Sequence, residues 1–307
     1  MVVVVSQPDR PRGRGQRPDP SPVARAAEQR GIPLLRPERV GDPESVAAIA
    51  GFEPDLGVVV AYGQFLPRRV REAPRLGYLV NGHASLLPRG RGAAPIARAI
   101  LDGETKTGVS VMRVEREMDA GPVAATAATP IGPDESAGDL ALRMAGMTAE
   151  LVARVVDEIA DGRVVWTPQD ASRASFAPKL ERAEAELDWT EPAATLARRV
   201  RGFAPRPGAW ALLAGEPLRI LAARALPGPV DRPPGRVRVG GDPPLRVATG
   251  DGWLVPRVLQ RAGRRPLGVE EFLRGHPLPD DTQLGGKPPV ARLEPGDATR
   301  SPRREPT

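Results

Sequence analysis

The chain alternates short apolar runs with stretches whose apolar residues recur every three or four positions, and this alternation sets the expected elements. Val2 to Val5 is a β-branched run closed by a turn-rich stretch, Leu56 to Ala61 is a second apolar run, and Gly77 to Val80 is a third. Such runs read as strands covered on both faces, whereas Gly108 to Val114 alternates like a strand half-buried against a helix. Between them, Ser21 to Arg30 predicts a helix with Ser21 as N-cap and Pro22 at the first helical position. Pro43 to Ala50 and Ala93 to Leu101 predict two more, the last stopped near Gly103. Leu140, Met144, Met147, Leu151, Val155 and Ile159 then recur at helical spacing as far as Gly162, and the methionine pair on this face reads as core filling. Strand–helix alternation of this kind argues for an α/β domain built on an open, mainly parallel, Rossmann-like sheet.

After Gly162 the pattern changes. Residues 163–180 predict a linker, and Arg198, Arg199 and Arg201 follow on a helical segment. From Trp210 onward, short apolar stretches separated by Gly and Pro (WALLAG, PLRILAARAL, GRVRVGG, PLRVATG, GWLVPRVL) predict a small, OB-like β-barrel, ended by a short helix around Val269 to Arg274. The tail from about Gly285 loses its apolar pattern and is expected to be disordered. The expected organisation is an α/β domain over 1–162, a linker over 163–180, a β-barrel domain over 181–285 and a tail over 286–307.

Composition narrows the chemistry. Cysteine is absent, which excludes a disulfide framework, thiolate metal sites and a cysteine nucleophile, and agrees with a reducing compartment. No apolar run is long enough to span a membrane and the opening MVVVV lacks the parts of a signal peptide, so a cytoplasmic protein is the expectation. The net charge is +6, and it is unevenly placed: residues 1–160 carry 20 basic and 20 acidic side chains, so the whole surplus falls in 161–307. Either an acidic macromolecular partner or a solubilising surface accounts for that excess.

Two histidines are present, His83 and His276. His83 lies in LVNGHASLLPRGRGAAP, just past the third apolar run, at the strand end where open α/β sheets bind ligands. Asn81 and His83 are two apart, which in an extended segment puts both side chains on one face. An amide beside an imidazole suits acyl transfer to an amine: the amide stabilises the oxyanion of a tetrahedral centre and the imidazole shuttles protons. Asp119 in EREMDAGPV follows the alternating strand and is either the carboxylate that orients His83 or a turn residue. His276, in RGHPLPDD, has no second ligand at metal spacing and reads as a structural histidine, so no catalytic metal is expected.

N-x-H-x-S-L-L-P followed by R-x-R-G-A-A-P-I, T-G-V-S-V-M and M-D-A-G resembles the methionyl-tRNA formyltransferase family. The resemblance extends through SQPDRPRGRG, AYGQFLP, FAPKL…LDW, PGAW and VATGDGWL, from about Val2 to Gly285. It implies transfer of the formyl group of 10-formyltetrahydrofolate to methionyl-tRNA for translation initiation, with Asn81, His83 and Asp119 as the catalytic group. It implies folate contacts from Ser85, Leu86, Leu87 and Pro88, with Tyr62 and Gly63 of AYGQFLP near the pterin. It implies tRNA contacts from Lys179, Arg206 and the arginines of QPDRPRGRGQR (Arg10, Arg12, Arg14 and Arg17), a mobile cationic loop whose key member is Arg14. A monomer without metal is the matching expectation. Two departures stand out: the chain opens at what corresponds to the family's second strand, and Gly90 replaces an aromatic. An absent interior strand would leave its neighbours' backbone groups unpaired, and a start codon placed too far downstream is the favoured explanation. The alternatives are a formyltransferase acting on a nucleotide or sugar amine, and an inactive, truncated tRNA-binding remnant.

Overall fold

The computed structural model describes residues 1–12 and 17–285. It divides into two compact units, one of Met1–Glu184 with Arg198–Pro207, the other of Ala185–Ala197 with the described residues from Gly208 on.

The first unit runs β1 (Val4–Val5), β2 (Arg10–Arg12), β3 (Arg17–Asp19), α1 (Pro22–Gln29), β4 (Leu34–Leu35), α2 (Pro43–Ala50), β5 (Gly57–Val59), α3 (Arg68–Arg71), β6 (Leu79–His83), α4 (Pro95–Leu101), β7 (Lys106–Arg113), β8 (Val123–Pro130) and α5 (Ala137–Ala160). All four apolar runs became strands and all four helical patterns became helices. Ser21 caps α1, its side chain accepting from the Ala24 amide at 3.0 Å. Ser136 and Asp139 form a capping box that starts α5, and Gly162, in the left-handed region, follows its end.

The strands fall into separate sheets. β1 pairs with β4 in parallel, and β5–β6–β7–β8 form a four-stranded sheet. Within that sheet β5–β6 is parallel, as the alternation of elements predicts, whereas β6–β7 and β7–β8 are antiparallel. β8 was not legible in the sequence: VAATAATP is mostly alanine and threonine, with too little apolar mass to mark a strand, and the β7 ladder recruits it. The arginine-rich stretch, expected to be a mobile loop, pairs its ends as the β2–β3 hairpin, Arg10 opposite Asp19. Val80, Val109 and Val111 pack against Leu140, Met144, Leu151 and Val155 of α5 and Ile100 of α4 to make the main core.

The second unit holds β9 (Ala209–Leu213), β10 (Glu216–Leu226), β11 (Val237–Val239), β12 (Leu245–Ala248), β13 (Trp253–Arg261), β14 (Leu267–Gly268), α7 (Val269–Gly275) and β15 (Leu284–Gly285); a further helix, α6 (Ala193–Phe203), contributes residues to both units. The strands run in the order β11-β12-β13-β10-β9-β15. An antiparallel bridge between Arg236 and Gln283 joins the two ends, with the Leu284 amide donating to the Gly235 carbonyl at 2.9 Å, and so closes the expected barrel. The tail over 286–307 lies outside the described residues. Among the described residues, no helix is long and apolar enough to cross a membrane.

Candidate active site

β6 positions the two central side chains. Val80 is fully buried in the core under α5, and on the same face a Cβ at Gly82 would come within 2.7 Å of Thr148 Cγ2 and 3.0 Å of Val152 Cγ2, so glycine lets the helix close on the strand. Asn81 and His83 therefore project together from the opposite face, in register with Met112 and Ser110 of β7. The Asn81 side-chain amide has no hydrogen-bond partner among the described residues, which leaves its N–H groups free to donate.

His83 is buried, and its Nε2 lies 2.9 Å from the Gly90 carbonyl. A carbonyl only accepts, so Nε2 carries the hydrogen and Nδ1 is the atom that gains or loses a proton. Nδ1 faces Asp119 Oδ2 at 3.7 Å, longer than a hydrogen bond. The same Oδ2 accepts from the Gly92 amide at 2.8 Å. Gly92 has φ of +122°, and a Cβ there would lie 2.7 Å from the Ala177 carbonyl oxygen. Only glycine fits this contact.

The segment after β6 is held from below. Ser110, completely buried, donates to the Ser85 carbonyl at 2.7 Å and accepts from the Leu87 amide at 3.1 Å. Ser85 in turn donates to the Arg89 carbonyl at 2.6 Å. Ser85, Leu86, Leu87 and Pro88 thus form a backbone cradle beside His83. Tyr62 and Gly63 follow β5 at the same sheet edge, where Gln7 donates to the Tyr62 carbonyl at 2.7 Å. The Tyr62 hydroxyl is buried without a hydrogen-bond partner, and burial pushes its phenol above the usual range.

The expected linker turns out to be part of this surface. Thr167 exchanges two backbone hydrogen bonds with Val123, and Ser175 and Ala177 bond to the backbone of Arg91 on either side. Ser175 Oγ also accepts from the Gly90 amide at 3.0 Å. Arg91 is buried against Gln169, a residue that nothing in the sequence pattern marked.

Of the cationic residues, Arg10 is exposed on β2 and Arg206 is exposed, whereas the Lys179 carbonyl accepts from Arg98. Arg12 and Arg17 lie on β2 and β3, and Arg14 is outside the described residues. His276 stacks on Phe272 with ring centroids 5.3 Å apart. Among the described residues, no group of three or more His, Asp or Glu side chains is placed to hold a metal ion.

Two family models match the chain: formyl transferase over residues 1–156 and formyl transferase, C-terminal domain, over residues 179–277. A methionyl-tRNA formyltransferase of Paracoccus denitrificans is 46% identical over 280 residues, 91% of this chain and 91% of that protein. Another, from Halorhodospira halophila, is 47% identical over 277 residues, 90% of this chain and 89% of that one. Among solved structures, HypX from Aquifex aeolicus in complex with tetrahydrofolic acid superposes with a TM-score of 0.59 at 21% identity, over 81% of this chain and 43% of that chain. The sugar 3N-formyl transferase WlaRD, in the presence of dTDP and 5-N-formyl-THF, superposes with a TM-score of 0.59 at 14% identity, over 86% and 88%. At these identities the structural likeness concerns the fold.

Proposed function

The chain belongs to the methionyl-tRNA formyltransferases, and from that premise we propose that Asn81, His83 and Asp119 carry out its chemistry. The enzyme transfers a formyl group to methionyl-tRNA, and 10-formyltetrahydrofolate supplies that group as the donor substrate.

His83, with Nε2–H fixed on the Gly90 carbonyl, takes the proton of the attacking α-amine at Nδ1. Asp119, whose Oδ2 lies 3.7 Å from Nδ1, faces the imidazolium so formed. Asn81 donates its free amide hydrogens to the formyl oxygen as negative charge collects there. His83 then returns the proton from Nδ1 to the departing nitrogen, so the ring ends the cycle as it began. The cradle of Ser85, Leu86, Leu87 and Pro88 holds the donor against β6, and Tyr62 and Gly63 border the same pocket. The exposed Arg10 of β2, together with Lys179 and Arg206, faces the tRNA in this reading, and Arg12, Arg14 and Arg17 belong to the same proposal. The remaining expectations, a cytoplasmic monomer with an α/β catalytic domain and a tRNA-binding barrel domain, belong to the same proposal.

The observation that carries the assignment is the placement of Asn81, His83 and the Asp119 carboxylate around one strand end. It is tested by following labelled formyl from the donor into methionyl-tRNA. His83→Ala should lose about 100–10,000-fold in turnover while tRNA affinity changes little. A wild-type rate would remove His83 from the mechanism.

A further inference from the structure

Asp119 holds its carboxylate toward His83 from an unusual backbone: its φ is +51°, in the left-handed region that non-glycine residues enter at a cost of about 1–3 kcal/mol when nothing compensates. Such a conformation persists where neighbours over-determine it. Here the neighbour is Gln169. Its Nε2 donates to the Asp119 carbonyl at 2.8 Å and to the Gly121 carbonyl at 2.7 Å, spanning the turn that aims the carboxylate.

The Gln169 amide is itself unable to reverse. Its Oε1 accepts from Arg91 Nη2 at 2.8 Å and from Arg91 Nε at 3.2 Å. Arg91 only donates and the two carbonyls only accept, so a flipped amide would set N–H against N–H and oxygen against oxygen. The Arg91 side chain is 4% exposed and its third contact is Glu117, at 3.3 Å. The buried guanidinium therefore fixes the amide, and the amide fixes the turn. Arg91 is also backbone-bonded to Ser175 and Ala177, one residue from the Gly92 amide that binds Asp119 Oδ2. The carboxylate is thus located from both ends by one buried arginine.

We infer that Gln169 is a positioning residue for formyl transfer, acting through Asp119: anchored by Arg91, its amide holds the turn that keeps Asp119 Oδ2 opposite His83 Nδ1. This rests on the reading of Asp119 as the partner of His83. The Gln169 amide is taken up by Arg91 and by the Asp119 and Gly121 carbonyls, so its loss is expected to act on the chemical step rather than on binding.

A double-mutant cycle tests it. Gln169→Glu keeps a partner for Arg91 but presents oxygen to both carbonyls. It should lower kcat by up to about 100-fold, with KM for the donor and for methionyl-tRNA nearly unchanged, as expected when a catalytic group is displaced by about 1 Å. In an Asp119→Asn background the same substitution should cost no more than about twofold further, because both changes act on one interaction. If Asp119→Asn is slow while Gln169→Glu retains wild-type kcat, or multiplies the Asp119→Asn defect in full, the positioning role is overturned and the reading of Asp119 stands. If Asp119→Asn itself turns over at the wild-type rate, the reading of Asp119 fails first. A Gln169→Glu protein that does not fold, judged by its near-ultraviolet circular dichroism, assigns the residue to folding and also overturns the inference.

Discussion

The strand that carries Asn81 and His83 has two unlike neighbours. On one side β7 pairs with it along four positions, from Val80 opposite Arg113 to His83 opposite Ser110, and the surface beneath is a cluster of eight buried residues closed by α5. On the other side β5 pairs along three positions and leaves Val58 48% and Val60 53% exposed. The packed cluster there has only three buried members, Val40, Val70 and Leu79. Functional side chains are held most accurately by elements whose own contacts are locked, so the β7–α5 side is the flank that sets the geometry of the site. The β5 side borders the site with fewer buried contacts.

Met144 of α5 is 1% exposed in the main cluster, and Met144→Ala should cost about 2–5 kcal/mol by urea denaturation. A loss below about 1 kcal/mol would mean that this flank yields as readily as an ordinary surface position. Ser110→Ala removes the hydroxyl that links Ser85 to Leu87 and should cost about 1–3 kcal/mol, with a raised KM for the folate donor as the cradle loosens. An unchanged KM would separate the cradle from donor binding.

A weaker effect belongs to the turn that leads into α5. The Arg143 guanidinium, hydrogen-bonded to Glu135, holds that carboxyl below its usual value of 4.5. A depressed carboxylate contributes stability that is complete above its unfolded pKa and is lost as pH falls through the lower, folded value. Thermal denaturation from neutral pH downward should therefore show Tm falling below about pH 4.5 more steeply in the wild type than in Glu135→Gln, by at most about 1 kcal/mol. Parallel profiles would deny the pair any role. The smallest effect is on the β5 flank, where Val58→Ala should change stability by no more than about 0.5 kcal/mol and leave turnover intact. A large loss there would make the two flanks equivalent.

Much of the site was legible because its chemistry coincides with strong local pattern. The apolar run ending at Val80 marked the strand, and the two-residue spacing of Asn81 and His83 on an extended segment placed both on one face. The position of Asp119 after the alternating strand left it open between a turn residue and a partner of His83, and its left-handed backbone and its Gly92 partner left no trace in the pattern. The β8 strand and the seam formed by 163–180 were missed for a common reason. Alanine, threonine and proline carry little periodic signal, and both segments take their conformation from partners distant in sequence, β7 in one case and Val123 and Arg91 in the other. Gln169 was hidden for the same cause. Its importance lies in an orientation imposed by a buried arginine 78 residues away, which no local spacing encodes. The barrel was readable from its strands, but its closure through Arg236 and Gln283 depends on an isolated bridge.

In this mechanism the free amide of Asn81 on β6 stabilises the negative charge that forms on the formyl oxygen during transfer. Single-turnover formylation by Asn81→Ala, with the donor and methionyl-tRNA both saturating, addresses it most directly. The rate should fall about 100–1,000-fold below wild type with dissociation constants for both substrates essentially unaltered. A wild-type rate, or a loss that disappears entirely once either substrate is raised, would contradict it.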